Sequence, residues 1–428
     1  MKGPAQDSSS LQSAFDEAIA ELPQTLFAGL LKRKLEAAGV KAKPALVRRL
    51  TEHAFAGGAD GVEWPGLPAN VVIEFTQEDF DELDRAVDDL TQNELPRIVH
   101  DAVSKGGVLT YKGLKRNWPA QYAWEQEQHS GFRERLEQRW GKALRALRML
   151  VTISRDIGGE FRAKLAAATA HHDRLRNGVL LRLHARATQV TDEIVVLLEN
   201  GYADGALARW RTLHEIEVVA TLIAEHGDPL AERYVAHEVI EEAKMTELAK
   251  ETAEELGYKP PSKRDLERAS TNVVAAVEKY GVGFDRDYGW AIGQVTPSNS
   301  FKDLAKAAKR SRLRAHYKLA SNNVHAGVRG ISHRLGSMGT QTLLAGASNA
   351  GLDEAGQNAA ISLAVINQLL VVDTRRPTEF VGTLDDTLQL KVLSEMMDDA
   401  IRCFVRAGRK LAREEAEIAR AKHATEKR

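Results

Sequence analysis

The chain has 428 residues, of which 43% are hydrophobic and 28% are charged, so it can bury a sizeable core and is long enough for two or three domains. Its formal net charge of -1 gives no overall attraction to nucleic acid or to an anionic membrane surface. The single cysteine, Cys403, excludes an intramolecular disulfide and a cysteine-based metal site, and it favours a reducing compartment.

Residues 1–125 are predicted to form a small N-terminal helical domain. The opening sequence MKGPAQDSSSLQSAF lacks the apolar core of a signal peptide, and no run approaches the roughly 18 apolar residues of a membrane span. We therefore expect a cytoplasmic protein with no membrane contact. Residues 71–75 are the best candidate for a short strand. Residues 105–120, which contain a glycine pair and Trp118-Pro119, are predicted to be irregular and to lie near the domain boundary.

Residues 126–428 are predicted to form a larger C-terminal helical bundle, which makes the fold class all-α. Asn200-Gly201 is typical of a helix end with a left-handed cap, and the short link after it favours an antiparallel helix pair. The stretch from Gly205 to Gly227 is apolar almost all the way round in its second half. Such a pattern predicts a buried helix around which the bundle is organised, with Ile216 and Val219 close to zero exposure.

The first half of this central helix carries Arg211 and Glu215, which fall on one face at a spacing of four residues. Charges on a buried helix are costly unless they are paired. Two interpretations follow. The pair is a structural ion pair inside the bundle, or it forms the wall of a site in which Arg211 anchors an anion.

A second polar set lies in the sequence RAHYKLASNNVHAG, where Tyr317, Ser321 and His325 follow one another at intervals of four residues. We predict one helix over 312–335, which would place the three side chains in a line, with His325 available as a general base. No orienting carboxylate or oxyanion hole accompanies the Ser–His pair, so packing around a core histidine is the alternative. Because buried polar groups need partners, we expect Arg211 and His325 to approach one another.

The stretch from Lys302 to Arg314 is basic and could contact phosphates. The candidate phosphate-binding residues are Lys306, Lys309, Arg310 and Arg314. A run of ordinary lysines and arginines is also typical of a solvated helix face, or of a surface that docks an acidic helix.

The helix predicted from Asp228 to Gly257 is acidic, and it contains His237-Glu238 followed by Glu241 and Glu242. Helical bundles can build di-metal sites from Glu-x-x-His motifs on facing helices, but here the order is reversed and a second copy is missing. The standard phosphate-loop, dinucleotide-binding, zinc-protease and serine-hydrolase motifs are also missing. The sequence therefore predicts no metal site and no cofactor.

Two short stretches resemble a bacterial family catalogued as domain of unknown function 5677. The stretch from Leu207 to Glu215, LARWRTLHE, is similar to the Arg-x-x-x-Glu helix of that family, and the second match is the Tyr317, Ser321 and His325 spacing. The resemblance covers residues 130–425 and leaves 1–125 undescribed. It implies an all-helical domain with no assigned reaction.

The helical layout is also distantly similar to the HEPN superfamily of helical nucleases and toxins, which carry an arginine and a histidine separated by four to six residues. Arg209 and His214 have this spacing, although Trp210 stands where a polar residue is common. The resemblance implies Arg209, His214 and the more distant His325 as catalytic residues of a metal-independent ribonuclease. In such an enzyme histidine acts as general acid or base and arginine steadies the phosphate.

The sequence leaves two functions open and does not decide whether the protein is an enzyme. The first hypothesis is an interaction or regulatory module that acts through partner contacts, in bacterial defence or stress. The alternative is a HEPN-like ribonuclease or toxin with RNA as its substrate. If the alternative holds, Arg209, Arg211, His214 and His325 should converge in one cleft, at the interface of a homodimer.

Overall fold

The computed structural model describes residues 8–57, 67–68, 71–167, 173–325, 327–332, 335–337, 344–372 and 384–426. Within these ranges the regular structure is helical, and the one β-type contact is an isolated parallel bridge between Ile292 and Thr296. The predicted all-α class is therefore confirmed. The chain divides into two compact units, Met1–Trp124 and Glu125–Arg428. The functional separation of residues 1–125 from residues 126–428 stays a prediction.

The first unit has a small core where its first two helices meet. Its helices are α1 (Ser8–Ala37), α2 (Pro44–Phe55), α3 (Gln77–Asp89) and the first part of α4 (Leu95–Ala167), with a π-helical turn at Leu90–Glu94. Leu31, Leu35 and Val47 are buried in that core. The strand predicted at 71–75 is wrong, because this segment is extended but pairs with no other strand in the described ranges. The side chains of Ile73 and Phe75 pack against the small core instead.

The irregular segment predicted at 105–120 is also wrong, because these residues form part of the continuous helix α4. Gly106, Gly107 and Pro119 all lie inside the helix. Glycine lowers helix stability by about 1 kcal/mol and proline by about 3 kcal/mol relative to alanine, so both oppose a helix without forbidding it. Local composition therefore indicated a break that the folded chain does not have.

The second unit has one large core, to which α4 contributes its C-terminal part. Its other helices are α5 (Arg174–Glu199), α6 (Ala203–His226), α7 (Asp228–Ala236), α8 (Glu238–Leu256), α9 (Lys263–Tyr280), α10 (Phe301–Ala307), α11 (Arg314–Val324), α12 (Val328–Ser332), α13 (Leu352–Val371) and α14 (Leu384–Glu426). The helix α6 packs against α5, α10, α11 and α13. None of the helices in the described ranges has a stretch long and apolar enough to cross a bilayer.

The short link between α5 and α6 forms as the sequence predicts. Gly201 has φ +78°, the left-handed conformation that glycine adopts at little cost. A side chain at this position would also collide, since a Cβ on Gly201 would lie 2.7 Å from both Phe132 Cζ and the Ser348 carbonyl oxygen. The link therefore needs glycine for both its conformation and its close packing.

The helix α6 is central but not buried all the way round. Ile216 is 8% exposed, as expected, whereas Val219 is only half-buried. Thr212, Glu215 and Val219 share one face at helical spacing, and that face stays partly open to solvent. The helix α13 is buried over most of its length as well, so α6 shares the centre of the unit with it.

Candidate functional site

An inner polar cluster lies on the buried side of α6. His214 and Glu217 are each 1% exposed, and His214 Nδ1 lies 3.0 Å from Glu217 Oε2. Ser362 on α13 donates a hydrogen bond to the same carboxylate oxygen at 2.8 Å, and Trp210 Nε1 donates to Ser362 Oγ at 3.1 Å. Arg310 Nε lies 3.3 Å from Glu217 Oε1. One buried carboxylate thus joins α6 to α13 and to the segment before α11.

An outer polar cluster lies on the half-open side of α6. Tyr317 on α11 donates a 2.6 Å hydrogen bond to Glu215 Oε1, and Arg211 Nε lies 3.2 Å from the same oxygen. The Arg211 guanidinium also lies over the Tyr317 ring, 5.1 Å from its centroid, which is a cation–π contact. Burial, together with the Glu215 carboxylate, raises the pKa of Tyr317, so its hydroxyl remains a donor.

The two clusters adjoin through aromatic rings. The His214 ring stacks on Trp210 at a centroid distance of 5.3 Å and lies 5.9 Å from the Tyr317 ring. The ring of Phe301, at the start of α10, contacts both His214 and Tyr317. It lies edge-on to His214 at a centroid distance of 6.0 Å and stacks on Tyr317 at 4.7 Å. We call the two clusters and these rings the α6 network. Its charged groups are matched with one another, an arrangement that braces four helices.

The structure does not bring the predicted catalytic residues into one cleft. Arg209 forms an ion pair with Glu193 on α5, away from Arg211. His214 is enclosed by the α6 network. His325 is exposed, and its backbone N–H donates to the Ser321 carbonyl. The predicted approach of Arg211 and His325 is not among the contacts of the described residues, where Arg211 contacts Glu215 and Tyr317.

The predicted side-chain line of Tyr317, Ser321 and His325 does not form either. The helix expected over 312–335 is wrong in extent, because α11 ends at Val324 and His325 is extended, with φ -103° and ψ 141°. Ser321 Oγ donates to the Tyr317 carbonyl within its own helix, a local bond that competes with longer-range contacts. Tyr317 instead reaches across to α6.

The basic stretch is divided between the interior and the surface. Of the predicted phosphate-binding residues, Arg310 is drawn inward to Glu217, whereas Lys306, Lys309 and Arg314 are exposed. Residues 301–320, which we call the basic segment, contain seven lysines and arginines and one carboxylate, that of Asp303. Asp303 accepts a 2.7 Å hydrogen bond from Ser300, and none of the exposed cations forms an ion pair within the described ranges.

A further buried polar cluster, which no sequence motif indicated, joins α4, α5 and α13. Asn367 Oδ1 accepts from Ser154 Oγ at 2.7 Å and lies 2.8 Å from His184 Nε2, and burial lowers the pKa of His184. Ser154, His184 and Asn367 are all buried, so their contacts join the three helices.

Sequence reasoning also missed the central role of Glu217 and its contact with Ser362. The available signal was local: Glu217 follows His214 by three residues on a helix whose other positions are mostly apolar. At the acidic helix, His237 Nε2 lies 3.0 Å from the Arg286 carbonyl oxygen. Over the described ranges, no three residues among the histidines, cysteines and acids are grouped to hold a metal ion.

Comparison with known families gives one match. Residues 177–341 match the model of a family described as "Family of unknown function (DUF5677)". No curated protein and no solved structure matches the chain, and the comparisons do not show the HEPN resemblance. The matched range contains most of α5 and all of α6, α10 and α11, and hence most of the α6 network, while Ser362 lies beyond it. The resemblance predicted for 130–425 is confirmed over residues 177–341, where the chain matches the model of the family of unknown function DUF5677.

Proposed function

We propose that the protein is an interaction module that binds RNA through the basic segment without cutting it. The carrying observation is the set of exposed cations at 301–320, which the fold presents to solvent rather than pairing internally. Phosphate contacts from lysine and arginine supply most of the affinity of sequence-independent RNA binding. The net charge of the whole chain gave no sign of this, because acidic helices elsewhere cancel the local excess.

The α6 network supports a scaffolding role rather than a catalytic one. A general base must reach solvent or substrate, whereas His214 is 1% exposed and fixed by Glu217. The same network rigidly seats α10 and α11, the helices that bear the basic segment, against α6 through Phe301, Tyr317 and Arg310. A role in bacterial defence or stress stays a prediction, as does homodimer formation.

The test is binding of a short fluorescein-labelled single-stranded RNA, followed by fluorescence anisotropy at several salt concentrations. Reversing Lys306, Lys309 and Arg314 to Glu should weaken binding and flatten the slope of log K against log salt by about 2, because each phosphate contact contributes about -0.7. The matched control reverses three cations on the α8–α9 link and the start of α9, Lys259, Lys263 and Arg264. Equal binding by the two triple variants, or no binding by the parent, would overturn the proposal.

The same samples test the ribonuclease alternative. Purified parent protein that leaves the RNA intact supports a binding module. Cleavage that disappears in His325→Ala, with an unchanged circular dichroism spectrum, would replace the proposal by the nuclease. His325 is the informative residue because it is exposed, whereas replacement of His214 also removes a buried contact to Glu217.

A further inference from the structure

One helical segment of the first unit exposes nearly all of its side chains to solvent. None of residues 95–124 of α4, which we call the exposed helix, is buried, although the segment is rich in large apolar side chains. Those at least half exposed include Val103, Leu109, Tyr111, Leu114, Trp118 and Tyr122. An apolar surface of this extent is typical of a protein–protein contact.

The composition of the exposed helix also indicates that packing must support it. Gly106, Gly107 and Gly113 each cost about 1 kcal/mol relative to alanine, and Pro119 costs about 3 kcal/mol. A Cβ added at any of the three glycines would meet nothing within 4 Å in the chain itself. Most helices in proteins are stabilised by burying a face, so this segment calls for a partner.

The charges on either side of the π-helical turn point to the identity of that partner. The exposed helix has one acid, Asp101, and five cations: Arg97, Lys105, Lys112, Lys115 and Arg116. The helix α3 has the opposite balance, with Arg85 as its one cation and seven acids: Glu78, Asp79, Asp81, Glu82, Asp84, Asp88 and Asp89. Among the described residues, Asp79 and Glu82 are the acids of α3 that form ion pairs with α1, through Lys34 and Arg33 respectively.

The two oppositely charged segments belong to one uninterrupted helical stretch. The residues at the junctions, Leu90 and Leu95, keep helical dihedral angles through the π-helical turn. At 1.5 Å per residue, the middle of α3 and the middle of the cationic run each lie about 20 Å of helix from Leu95. A second copy lying antiparallel, with its two-fold axis near Leu95, therefore places acidic against basic residues at both ends.

We propose that two copies of this chain associate through residues 77–116 as an antiparallel helix pair. The interface is isologous, so each α3 meets the exposed helix of the other copy. A parallel pair would set like charges side by side, and charge complementarity selects the antiparallel one. The proposal concerns the first unit only and does not depend on RNA binding by the basic segment of the second unit.

The test is the mass in solution, measured by light scattering during size-exclusion chromatography. One variant reverses Lys112, Lys115 and Arg116 to Glu, and a second reverses Asp81, Asp84 and Asp88 to Lys. In either variant alone, the reversal replaces opposite charges by like charges where α3 of one copy meets the exposed helix of the other, so the dissociation constant of the dimer should rise at least about tenfold. An equimolar mixture should form a heterodimer again, which a merely misfolded variant cannot do.

A parent protein that is monomeric at every concentration, or a mixture that stays monomeric, would overturn the proposal. If the variant of Lys112, Lys115 and Arg116 loses association while the variant of Asp81, Asp84 and Asp88 keeps it, the proposal is also overturned. That result would point to an anionic partner such as RNA. The variant of Lys306, Lys309 and Arg314 should remain a dimer, so failure of RNA binding and failure of dimer formation are told apart. Its retained dimer also controls for the effect of three charge reversals as such.

A cross-linking experiment locates the axis. In a Cys403→Ser background, Leu95→Cys places one thiol of each copy at the two-fold axis, where oxidation should join the chains. Trp124→Cys serves as the control, because antiparallel copies hold these positions far apart. Efficient cross-linking at residue 124 and none at residue 95 would contradict the antiparallel arrangement.

Discussion

The buried carboxylate of Glu217 should contribute far more to stability than the neighbouring carboxylate of Glu215. Glu217 is 1% exposed and contacts His214, Ser362 and Arg310, whereas the Glu215 side chain is 32% exposed. Removing one partner of a buried charge network typically costs about 3–5 kcal/mol, because the remaining groups lose their compensation. For Glu215→Ala we expect about 1 kcal/mol, since solvent screens the pairs on that face.

The assay is urea unfolding followed by circular dichroism at 222 nm for the parent, Glu217→Ala and Glu215→Ala. At an unchanged slope, the shift of the midpoint gives the change in the free energy of unfolding. Glu217→Gln is the milder variant if the alanine variant does not fold, because its amide oxygen can still accept from Ser362. A double-mutant cycle with Ser362→Ala should show a coupling of about 1–3 kcal/mol. Equal losses for Glu217→Ala and Glu215→Ala would refute this account of the α6 network.

Two further predictions concern the buried cluster of His184. A Cβ on Gly158 would lie 2.9 Å from His184 Cε1, and this ring is held by Ser154 and Asn367, so Gly158→Ala should lower the free energy of unfolding by about 1–3 kcal/mol. Gly159→Ala meets nothing within 4 Å and should be neutral or stabilising by up to about 1 kcal/mol; the reverse order in thermal or urea melts would contradict the packing. The pKa of His184 is lowered in the fold, so its contribution is complete above the ordinary value near 6.5 and falls as the pH drops below it, by up to about 1.4 kcal/mol per pH unit. Between pH 7.5 and 5, the free energy of unfolding should fall less for His184→Gln than for the parent. An equal fall in both proteins would contradict the lowered pKa of His184.

Most of the helical fold follows from local features of the sequence. Leu136, Trp140 and Leu147, which recur at helical spacing in the sequence, are buried in the large core, and Gly201 follows α5 in the left-handed conformation expected of it. Both features depend on residues within one or two turns of each other, which is why a sequence pattern can indicate them. The pattern failed where local signals were weak or opposed. The helix predicted over 312–335 includes Val328 and Ile331 at helical spacing, yet both side chains are exposed and α11 ends before them.

The sequence by itself determined an all-α chain, the place of α6 at the centre of its bundle, and the list of polar residues that lie on it. Only the tertiary structure decided the role of each polar residue: Arg209 pairs with α5, Tyr317 reaches Glu215, and Arg310 turns inward while its cationic neighbours stay in solvent. The physical reason is that a buried polar group must find its partner on a neighbouring helix, and that helix can be remote in the chain. Ser362, which completes the cluster around Glu217, lies 145 residues away from it, a distance over which no spacing of residues carries information.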